Sequence, residues 1–173
     1  MSPYRTAFQT EWGWIELVAS EKGITSIVLP HSGRAGRKNR HGATAGDSEP
    51  SGSATSVLDQ AKRQLADYLE GKRRDFSVPV DMMSGTAFQR RVWRAILRIP
   101  YGRVRSYQWV AEKVGGKQYA RAVGMALGSN PIPILVPCHR IIGHDGSLGG
   151  FGCGLPMKRR LLKLEGTLEQ LTV

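Results

Sequence analysis

Residues 31–56, HSGRAGRKNRHGATAGDSEPSGSATS, divide this chain. Glycine, serine and charged residues fill the stretch, and no apolar position recurs at helical or strand spacing. Such a composition predicts a long, mobile surface loop, so any core must be assembled from what lies on either side. Before it, residues 12–18 (WGWIELV) and 24–29 (ITSIVL) predict two strands, and Glu21, Lys22 and Gly23 suit the turn of a hairpin. After it, Val57, Leu58, Ala61, Leu65, Tyr68 and Leu69 fall on one helical face, and Gly71 ends that helix. Residues 76–80 then predict a short extended piece running into a linker at 81–85.

The second half is punctuated by capping and breaking residues. Thr86 with Gln89 has the form of a capping box. Phe88, Val92, Trp93, Ile96 and Leu97 follow on one face, and Pro100 stops the helix. Tyr107, Val110, Ala111 and Val114 predict a second helix, broken at Gly115 and Gly116. A third runs from about Tyr119 to Leu127 with Val123 and Leu127 inward. Two short helices across a glycine turn have the form of a helix-turn-helix, a form many helix pairs share. The third helix carries Ala120, Ala122, Gly124, Ala126 and Gly128. Small residues there permit either tight helix packing or close approach to a nucleic-acid groove, and Lys113, Lys117 and Arg121 keep the second reading open. Residues 132–137, IPILVP, read as a buried strand or extended segment leading to Cys138. A glycine-rich loop at 143–154 follows; Pro156 opens a last helix with Met157, Leu161, Leu162 and Leu164 inward, and Gly166 ends it. The expectation is an α/β chain. Residues 1–81 form a structural domain with a small antiparallel sheet and a helix. Residues 85–173 form a mainly helical, winged-helix-like domain with a helix-turn-helix.

Charge separates the same two halves. Residues 1–84 hold 11 Lys/Arg against 10 Asp/Glu, whereas residues 85–173 hold 14 against 4. A basic half joined to a near-neutral one points to a polyanion as partner, with a generally basic surface as the plainer alternative. No stretch approaches the roughly 20 apolar residues of a membrane span. The N-terminal residues lack the basic start and apolar run of a secretory signal. A cytoplasmic protein without membrane attachment is therefore expected. The two cysteines, Cys138 and Cys153, are too few for a disulfide scaffold and leave one disulfide, a metal site or a reactive thiol.

Pro137-Cys138-His139-Arg140 is the segment where chemistry concentrates. A cysteine ending a buried segment is commonly an inert apolar residue. Two basic neighbours favour the other possibility, because positive charge lowers a thiol's pKa and the thiolate is the nucleophile. On residue types alone, both readings stand.

The four residues resemble the P-C-H-R motif of the O6-alkylguanine-DNA alkyltransferase family, and the resemblance continues around them. Residues 130–136 (NPIPILV) resemble the segment before that family's acceptor cysteine, and residues 120–124 (ARAVG) its recognition helix. Ser106-Tyr107 resembles the start of the preceding helix. Thr86, Phe88, Gln89, Val92 and Trp93 resemble the opening of the active domain. Lys158, Leu161, Leu162, Glu165 and Gly166 resemble its closing helix. The likeness is close over residues 85–166 and looser before them. It implies irreversible, single-turnover transfer of a methyl or alkyl group from O6-alkylguanine, and also from O4-alkylthymine, in double-stranded DNA to Cys138. It implies His139 as base through a bridging water, Glu165 orienting His139, and Asn130 as a hinge for the Cys138 segment. Tyr107 would crowd the target phosphate and donate to the base, while Arg121 would fill the space of a flipped nucleotide. Ala120, Ala122, Gly124 and Arg140 would meet DNA, and Ile141, Phe151 and Gly152 would contribute a base pocket made mostly of backbone. No cofactor and no metal are implied. The protein would act as a monomer, with cooperative binding to DNA left open. Phe151 stands where tyrosine is common in the family and Cys153 where glycine is more usual. Some relatives carry zinc in the N-terminal domain; this one has no cysteine there, and that site is expected to be absent.

Four rival chemistries would draw on the same residues. A thiol hydrolase would need an oxyanion-hole signature and a Cys–His pair in direct contact. The spacing of Cys138 and Cys153 is not that of a redox C-x-x-C pair, and Cys138, His139, His144 and Cys153 match no common zinc pattern. A lesion-binding protein without transfer activity would lack the acceptor cysteine.

Overall fold

A computed structural model of the chain describes residues 3–30 and 52–171. Three strands, β1 (Tyr4–Thr10), β2 (Gly13–Ser20) and β3 (Gly23–Val28), form an antiparallel sheet in the order β1-β2-β3. The predicted hairpin is β2–β3. β1 escaped the sequence reading because an edge strand buries little: of YRTAFQT only Phe8 is fully inside. β2, in the middle, buries Ile15, Leu17, Val18 and Ala19. Helix α1 (Gly52–Leu69) lays Leu58, Ala61, Leu65 and Tyr68 on the sheet. It corrects the predicted loop at its far end, since residues 52–56 are its first turn; small and hydroxyl residues carry no period, which hid the helix from a reading by periodicity. Residues 31–51 of that loop lie outside the described residues.

The second half is helical. α2 (Ala87–Ile96) opens with the predicted capping box: Gln89 N–H donates to Thr86 Oγ1 and Thr86 N–H to Gln89 Oε1. Its Trp93 packs inside and donates Nε1–H to Ala126 O at 2.9 Å, fixing α2 against α4 (Ala120–Gly128). α3 (Tyr107–Val114) takes Ser106 as N-cap and stops at Gly115, whose φ of 153° suits glycine. A single 3-10 turn, Lys117–Tyr119, connects it to α4. Two-residue strands β4 (Arg105–Ser106) and β5 (Ile141–Ile142) pair in parallel, and α5 (Leu155–Leu164) closes the half. These elements give the expected α/β class, a sheet first and helices after.

Residues 131–137 correct the expected strand. The segment is buried but coiled on itself: Val136 N–H donates to Ile132 O at 2.9 Å and Ile134 has φ 74°. Proline at 131, 133 and 137 removes the donors a ladder would need, so the chain turns instead of extending. Cys138–Arg140 is then one turn of 3-10 helix, not extended chain.

One apolar core runs through both halves, from Phe8 and Leu17 to Val123 and Leu161. Ile27 N–H donates to Pro131 O at 2.9 Å, which ties the sheet to the segment carrying Cys138. Among the described residues no helix is long and apolar enough to cross a membrane.

Candidate active site

Cys138 forms part of the wall of a cavity of about 480 Å³. α4 supplies Gly124, Leu127 and Gly128 to one side; Gly149–Gly152 and Tyr107 form the other. Glycine is required at one of these positions and leaves little room at another. Gly149 has φ 67°, and a Cβ there would stand 2.5 Å from Tyr107 Oη. A Cβ on Gly152 would meet Gly128 O at 3.1 Å.

Asn130 sits where α4 gives way to the turned segment. Its Oδ1 accepts from Ile132 N–H at 2.9 Å, and its Nδ2 donates to Val136 O at 2.9 Å and to Cys138 Sγ at 3.1 Å. The expected hinge thus also touches the reactive atom. The expected low thiol pKa is corrected: burial pushes the Cys138 thiol up to about 11, against the Asn130 amide and the Lys158 charge, which both pull it down. His139 and Arg140 do not help, because their side chains turn away into a different set of partners.

Those partners meet at Glu165, at the end of α5. His139 Nε2 lies 2.9 Å from Glu165 Oε1 with both groups fully enclosed. Arg140 donates Nε–H to Oε2 at 2.9 Å, Nη2–H to Oε1 at 2.8 Å, and Nη1–H to Ile99 O. These donors hold the Glu165 carboxyl well below the usual carboxylate range despite its burial. Burial drives His139 the other way, below its ordinary value, so it is neutral. With the carboxylate facing Nε2, that nitrogen carries the proton and Nδ1 keeps its lone pair. Nδ1 is buried and has no hydrogen-bond partner among the described residues. A neutral imidazole with a free lone pair, fixed by a carboxylate and one residue from a buried thiol, is arranged to take up a proton.

The remaining expected site residues divide. Tyr107 lines the cavity, and its hydroxyl accepts from Gly150 N–H at 3.2 Å. Burial raises its pKa, which keeps the phenol a donor. Gly124, Phe151 and Gly152 line the same space. Arg121 is exposed on α4 and has no side-chain partner among the described residues; Ala120 and Ala122 flank it. Two expectations are corrected. The Arg140 guanidinium is buried against Glu165 and Ile99 instead of facing solvent. Ile141 is fully buried outside the cavity lining, with its carbonyl occupied by Lys158.

Two residues escaped the sequence reading as parts of the site. Lys158 is wholly buried, and its ammonium donates to the carbonyls of Ile141, Leu148 and Gly150, the last at 3.0 Å. Burial lowers its pKa to about 8. A signal was present: Lys158 precedes Leu161 and Leu162 by three and four residues, on the apolar face of α5. Tyr68 of α1 donates to Glu165 Oε1 at 2.6 Å. Nothing in its helical spacing distinguished it from an ordinary core tyrosine.

Residues 87–167 match the family described as 6-O-methylguanine DNA methyltransferase, DNA binding domain, and residues 4–82 match 6-O-methylguanine DNA methyltransferase, ribonuclease-like domain. The chain is 53% identical over 102 residues to the methylated-DNA–protein-cysteine methyltransferase of Mycobacterium bovis, and 50% identical over 102 residues to the inducible enzyme of that name from Bacillus subtilis. The matched parts cover 59% of this chain in each case, and 61% and 56% of those relatives. Among solved structures, Mycobacterium tuberculosis OGT in complex with DNA superposes with a TM-score of 0.75 at 37% identity, over 95% of this chain and 93% of that one.

Proposed function

The chain belongs to the 6-O-methylguanine DNA methyltransferase family, and from that membership and the geometry of its cavity we propose that it repairs DNA by moving an alkyl group onto Cys138. The observation that carries this reading is a single thiol, Cys138 Sγ, presented to the cavity by the Asn130 amide, with a neutral His139 held by the Glu165 carboxylate as the next residue. His139 Nδ1 takes the thiol proton through a solvent molecule. Sγ attacks the alkyl carbon, the S–C bond forms as the C–O6 bond breaks, and the guanine released takes up a proton to become neutral. The product thioether is a poor leaving group with no resolving partner, so each molecule acts once.

The substrate is O6-alkylguanine in double-stranded DNA, with O4-alkylthymine as a second substrate. The target carbon lies inside a duplex, so the nucleotide must leave the stack. Arg121, exposed and unpaired on α4, is suited to the vacated place, and Ala120, Ala122 and Gly124 let the helix approach closely. Tyr107 closes the cavity over the base and donates to it, while Phe151 and Gly152 line it. Residues 85–173, with α3 and α4 as a helix-turn-helix, form the DNA-binding and acceptor unit. Residues 1–81 form the unit that supports it. Two free cysteines suit the reducing conditions of the cytoplasm, where the protein would act as a monomer. Incubation with duplex DNA containing O6-methylguanine should add one methyl mass per molecule, located on Cys138, with no second equivalent at any excess of substrate. Uptake that survives Cys138→Ala, or repeated turnover, would reject the mechanism; Cys153→Ala should leave uptake intact.

A further inference from the structure

Glu165 Oε1 accepts from three side chains. His139 Nε2 is 2.9 Å away, Arg140 Nη2 2.8 Å, and the Tyr68 hydroxyl 2.6 Å. The first two come from the Cys138 turn itself. Tyr68 comes from α1 in the N-terminal half, with its ring held between Phe76 and Tyr101 at centroid distances of 5.3 and 6.0 Å. It is fully buried, and burial followed by the Glu165 charge raises its pKa well above the ordinary phenol value, so it remains a neutral donor. Its oxygen is also 3.5 Å from His139 Nε2.

His139 can serve as a base only while it is neutral. The groups acting on it oppose one another: Glu165 favours the imidazolium, whereas burial, Arg140 and Lys158 disfavour it. Tyr101 adds only a weak influence on the cluster from outside, because its hydroxyl donates to Leu164 O at 2.9 Å and not to the carboxylate. The pull of Glu165 on His139 depends on how much charge Oε1 has free, and every donor to that atom reduces it. Arg140 does so while bringing a charge of its own; Tyr68 does so without one.

We propose that Tyr68 is a positioning residue for alkyl transfer: its hydroxyl, donated to Glu165 Oε1 from the N-terminal half, holds His139 as the neutral, Nε2-protonated base next to Cys138. This rests on the reading of His139 as the base. The N-terminal half is then part of the reacting machinery through one hydrogen bond as well as a support for the fold.

The test is the pH dependence of the second-order rate with free O6-benzylguanine, which reports on the thiol pocket without DNA. In Tyr68→Phe, Glu165 loses one donor and binds the imidazolium more strongly, so the acid limb should move to higher pH by about one unit, a tenfold rise in His139 proton affinity. Tyr101→Phe removes a hydrogen bond of similar length to a backbone carbonyl and should leave the limb in place. Histidine 15N shifts, followed by titration, should show the same rise for His139 in Tyr68→Phe. An unmoved limb in Tyr68→Phe, or an equal movement in Tyr101→Phe, would overturn the role of Tyr68 alone. A wild-type profile without any acid limb would remove His139 as base and with it the reading beneath.

Discussion

The Cys138 thiol is held in its protonated form, and that places the burden of activation on its neighbours. A pKa near 11 means that only about one molecule in ten thousand carries a thiolate at pH 7. Asn130 is the neighbour in direct contact. Replacing it with alanine removes the donor to Sγ, so the thiol pKa should climb further above 11. Transfer to free O6-benzylguanine should fall on the order of tenfold for each unit of that rise. Ultraviolet titration of the thiolate, run beside the rate, measures both. A slower rate with an unmoved thiol pKa would mean that Asn130 acts only by holding Ile132 and Val136. At this scale the sequence was partly legible. Cys138, His139, Glu165 and Asn130 were marked by their resemblance to a motif. The direction of the thiol shift was not, because His139 and Arg140, next to Cys138 in sequence, point their side chains away from its sulfur. The 3-10 turn sends Cys138 to the cavity and the next two side chains to Glu165, and the carboxylate absorbs the positive charge that seemed available to the sulfur.

Elements were read best where periodicity or capping spoke. α2 begins at the expected box, α3 ends at the expected glycine, and α5 has Pro156 in its first turn and stops before Gly166. Reading failed where tertiary contacts override local pattern: at the edge strand β1, at the unpatterned first turn of α1, and at the proline-rich turn before Cys138. Two predictions belong to single elements. Lys158 of α5 ties the glycine-rich loop, through the carbonyls of Leu148 and Gly150, to that of Ile141 in β5, so Lys158→Met should leave those acceptors unsatisfied, destabilise the protein by about 3 kcal/mol and slow transfer. Urea unfolding measures the first effect; stability within about 0.5 kcal/mol of the wild type would show that the loop holds without the clamp. On α4, Arg121→Ala should slow repair of duplex DNA by a few kcal/mol of barrier, about the scale of unstacking one base, and leave the reaction with free O6-benzylguanine unchanged. The ratio of the two rates decides the matter. Equal slowing would assign Arg121 to the fold or the thiol pocket instead of the displaced nucleotide.

Across the whole molecule, the Glu165 cluster joins the two halves, because its donors come from α1 and from the Cys138 turn while Glu165 itself ends α5. Its protonation equilibria should therefore register in global stability. Glu165 has a folded pKa below its ordinary value, so its contribution is present above the unfolded value, about 4.5, and is lost as pH falls through the folded one. His139 has a folded pKa lowered from 6.5, so the unfolded chain takes up a proton that the folded chain refuses, and stability drains as pH falls below about 6.5. The two signs agree, and the windows follow one another. The alkaline side behaves differently. Lys158, lowered to about 8 from 10.5, makes stability rise between those values, whereas Cys138 and Cys153, both raised to about 11 from 9, make it fall between about 9 and 11, so the two thiols outweigh the lysine above about pH 9. The expected profile is a dome with its top at about pH 8 to 9, falling above it as the two thiols titrate and declining below about pH 6.5 by up to about 1.4 kcal/mol per pH unit for each proton the unfolded chain takes up in excess. Urea midpoints between pH 4 and 9 trace it. His139→Gln should flatten the part between about pH 6.5 and 5 while keeping the steeper loss below 4.5. A level profile from pH 7 to 4 in the wild type would show that His139 and Glu165 keep their ordinary pKa values in the folded protein.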